Sequence, residues 1–173
     1  TISKLKTQVP ITCSHLSSIL FLKDKELDDL FKKVAEKNIK VIALPLTNFW
    51  LLNRATKNKI MRPVAPIKQL QKSFVDVSIG SDNVQDSWYP FGRFDPFYLM
   101  SHSMHILQLN PWDRLSLSAF ITAPSRLLKL KWDGIISVGC PADFVIVKGK
   151  VWADVFSSEV KRKILINGNW YKK

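Results

Sequence analysis

The chain has 173 residues, enough for one ordinary domain or one domain with a small appendage; its 46% hydrophobic and 11% aromatic content is that of a folded chain with a core. No segment reaches the roughly 18 consecutive apolar residues that cross a bilayer, and the start, TISKLKTQVPITCSHL, has no long apolar run, so no signal peptide is expected in it. The net charge of +12 comes mostly from Lys on helix faces (Lys23, Lys25, Lys32, Lys33, Lys37) and near the end (Lys161, Lys163, Lys172, Lys173), with no Arg strip interleaved with aromatics, so a solvated Lys face outweighs a nucleic-acid site.

Cys13 and Cys140 lie far apart without metal-type spacing and read as two reduced thiols of a cytoplasmic protein. The chain begins at Thr1 rather than Met, the pattern of a processed chain or a piece of a longer one.

Val9 to Cys13 is an apolar, β-branched run that predicts a buried strand, with His15 just past its end. From Lys25 to Asn38, Leu27, Leu30, Phe31, Val34 and Ala35 recur at helical spacing, with Asp24 as N-cap and Asn38 as stop. Lys40 to Leu44 reads as a second buried strand, ended by Pro45. The following stretch, TNFWLLNRATKNKIMRPVAP, has little periodicity and reads as a loop, with a helix over Pro66 to Ser73.

Val75 to Ile79 is the third strand; it stops at Gly80 and delivers Asp82 into a loop filled by Asn83, Asp86, Trp88, Tyr89 and Pro90. An Asp in such a place often caps a turn. Here, however, two strands end on a chemically useful side chain, His15 and Asp82, which is how a barrel enzyme presents catalytic groups at one mouth. Strands alternating with helices argue for parallel pairing through helical crossovers.

Asp95 to Leu109 predicts a strongly apolar helix. Asp113 caps another, with Leu115, Leu117, Phe120 and Ile121 inward, and Ala123 to Leu130 continues the pattern. Beyond it the runs at Gly134–Ile136, Ala142–Val147, Val151–Val155 and Lys163–Asn167 read as short strands, and Asn167-Gly168 as a hairpin turn. A small all-β tail is expected, with a division at 1–131 and 132–173.

One imidazole and one carboxylate at a barrel mouth suit a metal or a metal-activated water, but a catalytic metal takes about three or more protein ligands. His102 and His105 share a helix face at i, i+3, yet their helix is otherwise apolar and a structural role is expected. Asp86 and Asp95 are expected to cap turns or helices, and Trp50 and Trp112 to serve packing or an interface.

Ile11-Thr-Cys-Ser-His15, Leu44-Pro-Leu-Thr-Asn48, Ile79-Gly-Ser-Asp82-Asn83 with Asp86, Trp88-Tyr-Pro-Phe-Gly92, and Gly139-Cys-Pro-Ala-Asp143 together resemble the C-terminal half of the bacterial cytosine deaminases, within the metal-dependent amidohydrolase superfamily. The resemblance covers nearly the whole chain in order. It implies an α/β fold made of strands six to eight of a (β/α)8 TIM-type barrel, followed by a small β-sandwich segment. It further implies His15 and Asp82 as catalytic residues and contributors to a divalent metal site (Fe or Zn), with Asn83 and Trp88 against the substrate. The implied reaction is hydrolytic deamination of an aminopyrimidine or related ring, with Asp82 shuttling the proton and ammonia leaving.

Two departures stand out. Asn83 occupies a position where the cytosine enzymes carry a second Asp. The family's H-x-H strand, substrate Gln and fifth-strand His with its acid Glu have no counterpart here. Three strands cannot close an eight-stranded barrel, so the chain alone is expected to be inactive and to need an N-terminal half or a homo-oligomer. The implied partner is a nucleobase-like small molecule, with no nucleic acid and no membrane; the alternative is a non-catalytic half-barrel interaction module or a decayed fragment.

Overall fold

The computed structural model describes residues 10–54, 62–157 and 161–171. Its centre is a three-stranded parallel sheet of β1 (Thr12–Ser14), β2 (Lys40–Ala43) and β3 (Val77–Ile79) in that spatial order, with Cys13 opposite Val41 and Val41 opposite Val77. Burial alternates along the middle strand, where Val41 and Ala43 are fully buried, and all three residues of β3 are buried. Val9, expected at the start of the first strand, lies outside the described residues.

Parallel neighbours need long crossovers, and helices supply them. Between β1 and β2 runs α1 (Asp24–Glu36), where Phe31 and Val34 are buried and Leu27, Leu30 and Ala35 pack against the core, as their spacing predicts. Its N-cap is Lys23 rather than Asp24: the Lys23 backbone N–H donates to Glu26 Oε2 at 2.9 Å, so the carboxylate three residues on closes the first turn. Asn38 ends the helix in a left-handed conformation (φ 50°), which Asn tolerates well.

The stretch after Pro45 is not a loop throughout. Pro45–Asn53 forms α2, which opens on the proline at its first turn. Apolar residues on all sides of this segment remove the amphipathic period that would reveal a helix. Then α3 (Ile67–Lys72) buries Ile67 and Leu70 and leads into β3. At the N-terminal ends of the strands, Lys40 Nζ and Asp76 Oδ2 pair across β2 and β3 at 2.6 Å.

After β3 comes a long loop, then α4 (Pro96–Leu107), α5 (Arg114–Ser118) and α6 (Thr122–Leu127). Asp95 and Asp113 cap α4 and α5 through Phe97 N and Leu115 N. The inward face of the α5 region differs from expectation. Ser116 and Ala119 are buried, whereas Leu115 and Ile121 are exposed. Small residues let this backbone approach the sheet closely enough for Ile79 N–H to bond Ala119 O at 2.9 Å.

A second sheet, antiparallel, joins β4 (Phe144–Val147), β5 (Arg162–Ile166) and β6 (Asn169–Trp170). The Asn167-Gly168 turn has positive φ at both positions (49° and 76°), as a tight hairpin requires. The tail is not all-β, because residues Trp152–Ser157 form helix α7, begun by Asp154 Oδ2 accepting from Lys150 N and Val151 N. Nor is Gly134–Ile136 a strand: Ile135 is held by Asp133 and Trp132 in local hydrogen bonds. Among the described residues no helix is long and apolar enough to cross a membrane.

Candidate functional site

Parallel strands place their C-terminal ends on one side, and in open α/β sheets ligands bind there. Three connections meet at that end: the turn after β1, the first turn of α2 after β2, and the loop after β3. His15 N–H bonds Ile42 O at 3.0 Å and Gly80 N–H bonds Ala43 O at 3.0 Å, so the outer two connections leave the sheet at nearly the same height. His15 and Asp82 therefore stand on the same rim, with backbones two strand spacings, or roughly 10 Å, apart.

Both rim residues carry left-handed backbone, φ 66° at His15 and 60° at Asp82. This conformation is uncommon outside glycine and gathers at functional positions. Both side chains are exposed.

The middle connection supplies what the sequence did not reveal. Asn48, 3% exposed, approaches His15 Nδ1 with Oδ1 at 2.8 Å. Its neighbour Thr47 is also buried and donates from Oγ1 to Ser81 O at 3.4 Å, tying the second connection to the third. Asn48 lies 33 residues from His15, so only the β1–β2 pairing makes them neighbours. The Leu44–Asn48 motif is the single sequence signal that marks it.

The loop after β3 is organised by Asp86. Its Oδ1 accepts from Trp88 N (2.9 Å) and Tyr89 N (2.8 Å), and its Oδ2 accepts from Asn83 Nδ2. The Asn83 amide, followed by the Tyr89 backbone N–H, lowers the Asp86 pKa and keeps that carboxylate ionised. As expected, Asp86 caps a turn.

Tyr89 is buried beneath the loop, and burial, helped by neighbouring Tyr98, raises its hydroxyl pKa. Gly92 closes the loop at φ 89°, where an added Cβ would stand 3.1 Å from the Tyr89 ring. Phe91 packs edge-on against Trp50 of α2, which fixes Trp50 as a packing residue.

Asn83 is half-buried and bound to Asp86, while Trp88 is 65% exposed at the surface of the loop. Asp95 anchors the far end of the loop: besides capping α4, it receives both Arg162 guanidinium nitrogens at 2.7 Å from β5.

Among the described residues no group of three or more His, Cys, Asp and Glu could hold a metal ion. His15 fits such a group as one member of a ligand set, because one imidazole nitrogen is engaged by a hydrogen-bonding partner, as is usual for a ligating His, and the other has no partner among the described residues; the exposed Asp82 carboxylate stands on the same rim. His102 and His105 are exposed on α4, with the His102 ring over Tyr98 at 3.9 Å and its Nδ1 2.9 Å from Tyr98 O. Both cysteines are free. A separate groove of about 790 Å3 lies beside the opposite, N-terminal end of β3, and Trp112, 70% exposed, lines it together with Phe74, Leu115 and Ile135.

Residues 3–168 match the Amidohydrolase family. The pterin deaminase of Rhizobium rhizogenes is 27% identical over 158 residues, an alignment covering 90% of this chain and 36% of that protein. The 5-methylcytosine deaminase of Klebsiella pneumoniae, solved with 5-fluorocytosine, superposes with a TM-score of 0.79 at 21% identity, covering 94% of this chain and 40% of that one. N-isopropylammelide isopropylaminohydrolase of Burkholderia multivorans gives 0.70 at 22% identity, over 92% and 38%. The chain thus spans well under half the length of these relatives.

Proposed function

Since the chain belongs to the amidohydrolase family, we propose that it carries one side of the active site of a deaminase acting on an aminopyrimidine or related ring. What supports this reading most is the rim itself: a His and an Asp leave the two outer strands of one parallel sheet at the same end, both in left-handed backbone, at the place where such folds bind ligands. In this reading the described parallel strands are the sixth, seventh and eighth of a TIM-type barrel, residues 1–131 being barrel and 132–173 the small second unit.

A divalent metal, Fe or Zn, would be held in part by Asp82 and His15 and would supply activation of water at neutral pH. The residues of this chain serve its own side of the site. The Asp82 carboxylate takes a proton from the attacking water and returns it to the amino group of the ring, which departs as ammonia. His15 Nε2 holds the reacting oxygen or a ring atom in register. Asn83 and Trp88 line the approach of the ring, Asn83 with the charge of a second carboxylate removed.

Two donors fall short of the three or so that a catalytic metal takes, so the working enzyme includes an N-terminal half supplying the remaining ligands. Co-expression of that half with this chain, followed by metal analysis and assay of ammonia from cytosine, 5-methylcytosine and pterin, tests the reading. Stoichiometric metal and turnover of one of these rings is the expected result; a stable complex with neither overturns it. The exposed apolar side chains of the groove, Phe74 at 93% and Trp112 among them, favour a second reading, a half-barrel that acts only as an interaction module. The same complex without turnover is what that reading expects.

A further inference from the structure

We infer that Asn48 is the positioning residue for His15: its side-chain carbonyl accepts the Nδ1 proton and fixes the neutral imidazole with its lone pair on Nε2. The inference rests on the reading of His15 as a site residue and assigns its working tautomer.

The contact is short, 2.8 Å, and its Asn48 end is buried. Asn48 is 3% exposed in the first turn of α2, where its backbone N–H bonds Leu44 O at 3.1 Å. The His15 end is fixed through its own backbone N–H to Ile42 O, while the ring reaches solvent. One imidazole nitrogen is thereby engaged by a buried group and the other has no partner among the described residues. An imidazole that is to accept a proton or bind an electrophile at Nε2 needs its hydrogen on Nδ1, and the partner of Nδ1 decides this.

A second observation bears on why an amide stands here. Asn48 Nδ2 is buried and has no hydrogen-bond partner among the described residues. An orphaned buried N–H is rare because it forfeits its bonds to water. An aliphatic side chain would serve packing in the first turn of α2 without leaving that orphan. The amide therefore contributes through the bond it does make, the one to His15. Turned over, the same amide would donate from Nδ2 to a bare Nδ1, and Nε2 would carry the hydrogen; the two arrangements predict opposite tautomers.

The chain holds three histidines, so selective 15N-histidine labelling resolves them, with His102→Gln and His105→Gln giving the assignments. At about pH 8.5 a free imidazole is neutral, and long-range proton–nitrogen correlation distinguishes the protonated from the bare nitrogen. For His15 we expect a protonated Nδ1 and a bare Nε2. Asn48→Leu should move His15 to the mixed tautomers of exposed His105, whereas Asn48→Asp, which keeps an acceptor, should retain the Nδ1–H form. A His15 protonated at Nε2 in the native chain, or one unmoved in a folded Asn48→Leu chain, overturns the inference. Should Asn48→Leu not fold, loss of the Nδ1–H form in Asn48→Asp overturns it equally.

In the reconstituted complex, Asn48→Leu should lower kcat about 10–100-fold with little change in KM. Absence of turnover in the native complex removes the proposed function but leaves the tautomer measurement to decide this inference.

Discussion

Replacing Arg162 by Ala tests how the antiparallel sheet holds the far end of the Asp82 loop. The Arg162 guanidinium makes two 2.7 Å bonds to the Asp95 carboxylate and sits 5.2 Å from the Phe97 ring centre, with side chains still 35% and 23% exposed. A bidentate pair that water reaches contributes roughly 1 kcal/mol after screening, and the ring contact roughly 0.5. Arg162→Ala should therefore cost about 1–1.5 kcal/mol. Asp95→Ala should cost about 1 kcal/mol more, because it also removes the cap on Phe97 N–H at 2.9 Å.

The pH dependence follows from the direction of the Asp95 shift. The Arg162 hydrogen bond first, with smaller help from the Phe97 and Tyr98 backbone and the Arg162 charge, lowers its pKa below the unfolded value. The stabilisation is thus complete above the ordinary carboxylate range and is lost as pH falls through the lowered folded value. Urea unfolding of both variants and the native chain, at neutral pH, in acid and with added salt, measures this. The gap between native and Arg162→Ala should be constant above neutrality and close on acidification. Equal losses for the two variants, or a gap that widens in acid, would refute the reasoning.

Leu70, 1% exposed beneath the sheet, should cost about 2–5 kcal/mol as Leu70→Ala in the same unfolding experiment, through lost burial and the cavity left behind. Gly92→Ala should cost about 1–2 kcal/mol, since φ 89° penalises any Cβ and the Tyr89 ring stands in its way. Asp86→Ala removes the acceptor for Trp88 N, Tyr89 N and Asn83 Nδ2, and amide exchange at Trp88 and Tyr89 should accelerate while that of β2 stays unchanged.

How far the sequence reveals this structure depends on what kind of signal each element carries. The helix α1 was legible because a buried face at i, i+3, i+4 and i+7 sits among lysines, and β2 because a short β-branched run follows Lys40 and stops before Pro45. By contrast, α2 is apolar on every side, and its opening Pro45 serves equally to stop a strand and to start a helix. The stretch around Val151–Val155 looked like a strand from its valines, yet Asp154 captures the preceding amides and winds it into a turn. Leu115 and Ile121 were expected inside because they are large; Ser116 and Ala119 are inside because close approach to β3 needs small residues.

At the rim, the positions of His15 and Asp82 followed from strand ends alone. Their left-handed backbone did not, since neither is a glycine. The Asn48 contact was also hidden, because hydrogen bonding between residues 33 apart is a consequence of register, which no local pattern encodes.

The central claim is that Asp82 moves the proton in a deamination. Asp82→Asn keeps size and shape and removes the basic oxygen, and metal content measured beside activity separates proton transfer from metal binding. In the complex with the N-terminal half, measured as ammonia release from whichever ring the native complex turns over, Asp82→Asn should lower kcat about 10²–10⁴-fold with the urea midpoint unchanged. Retention of activity within about twofold of the native complex would contradict the account.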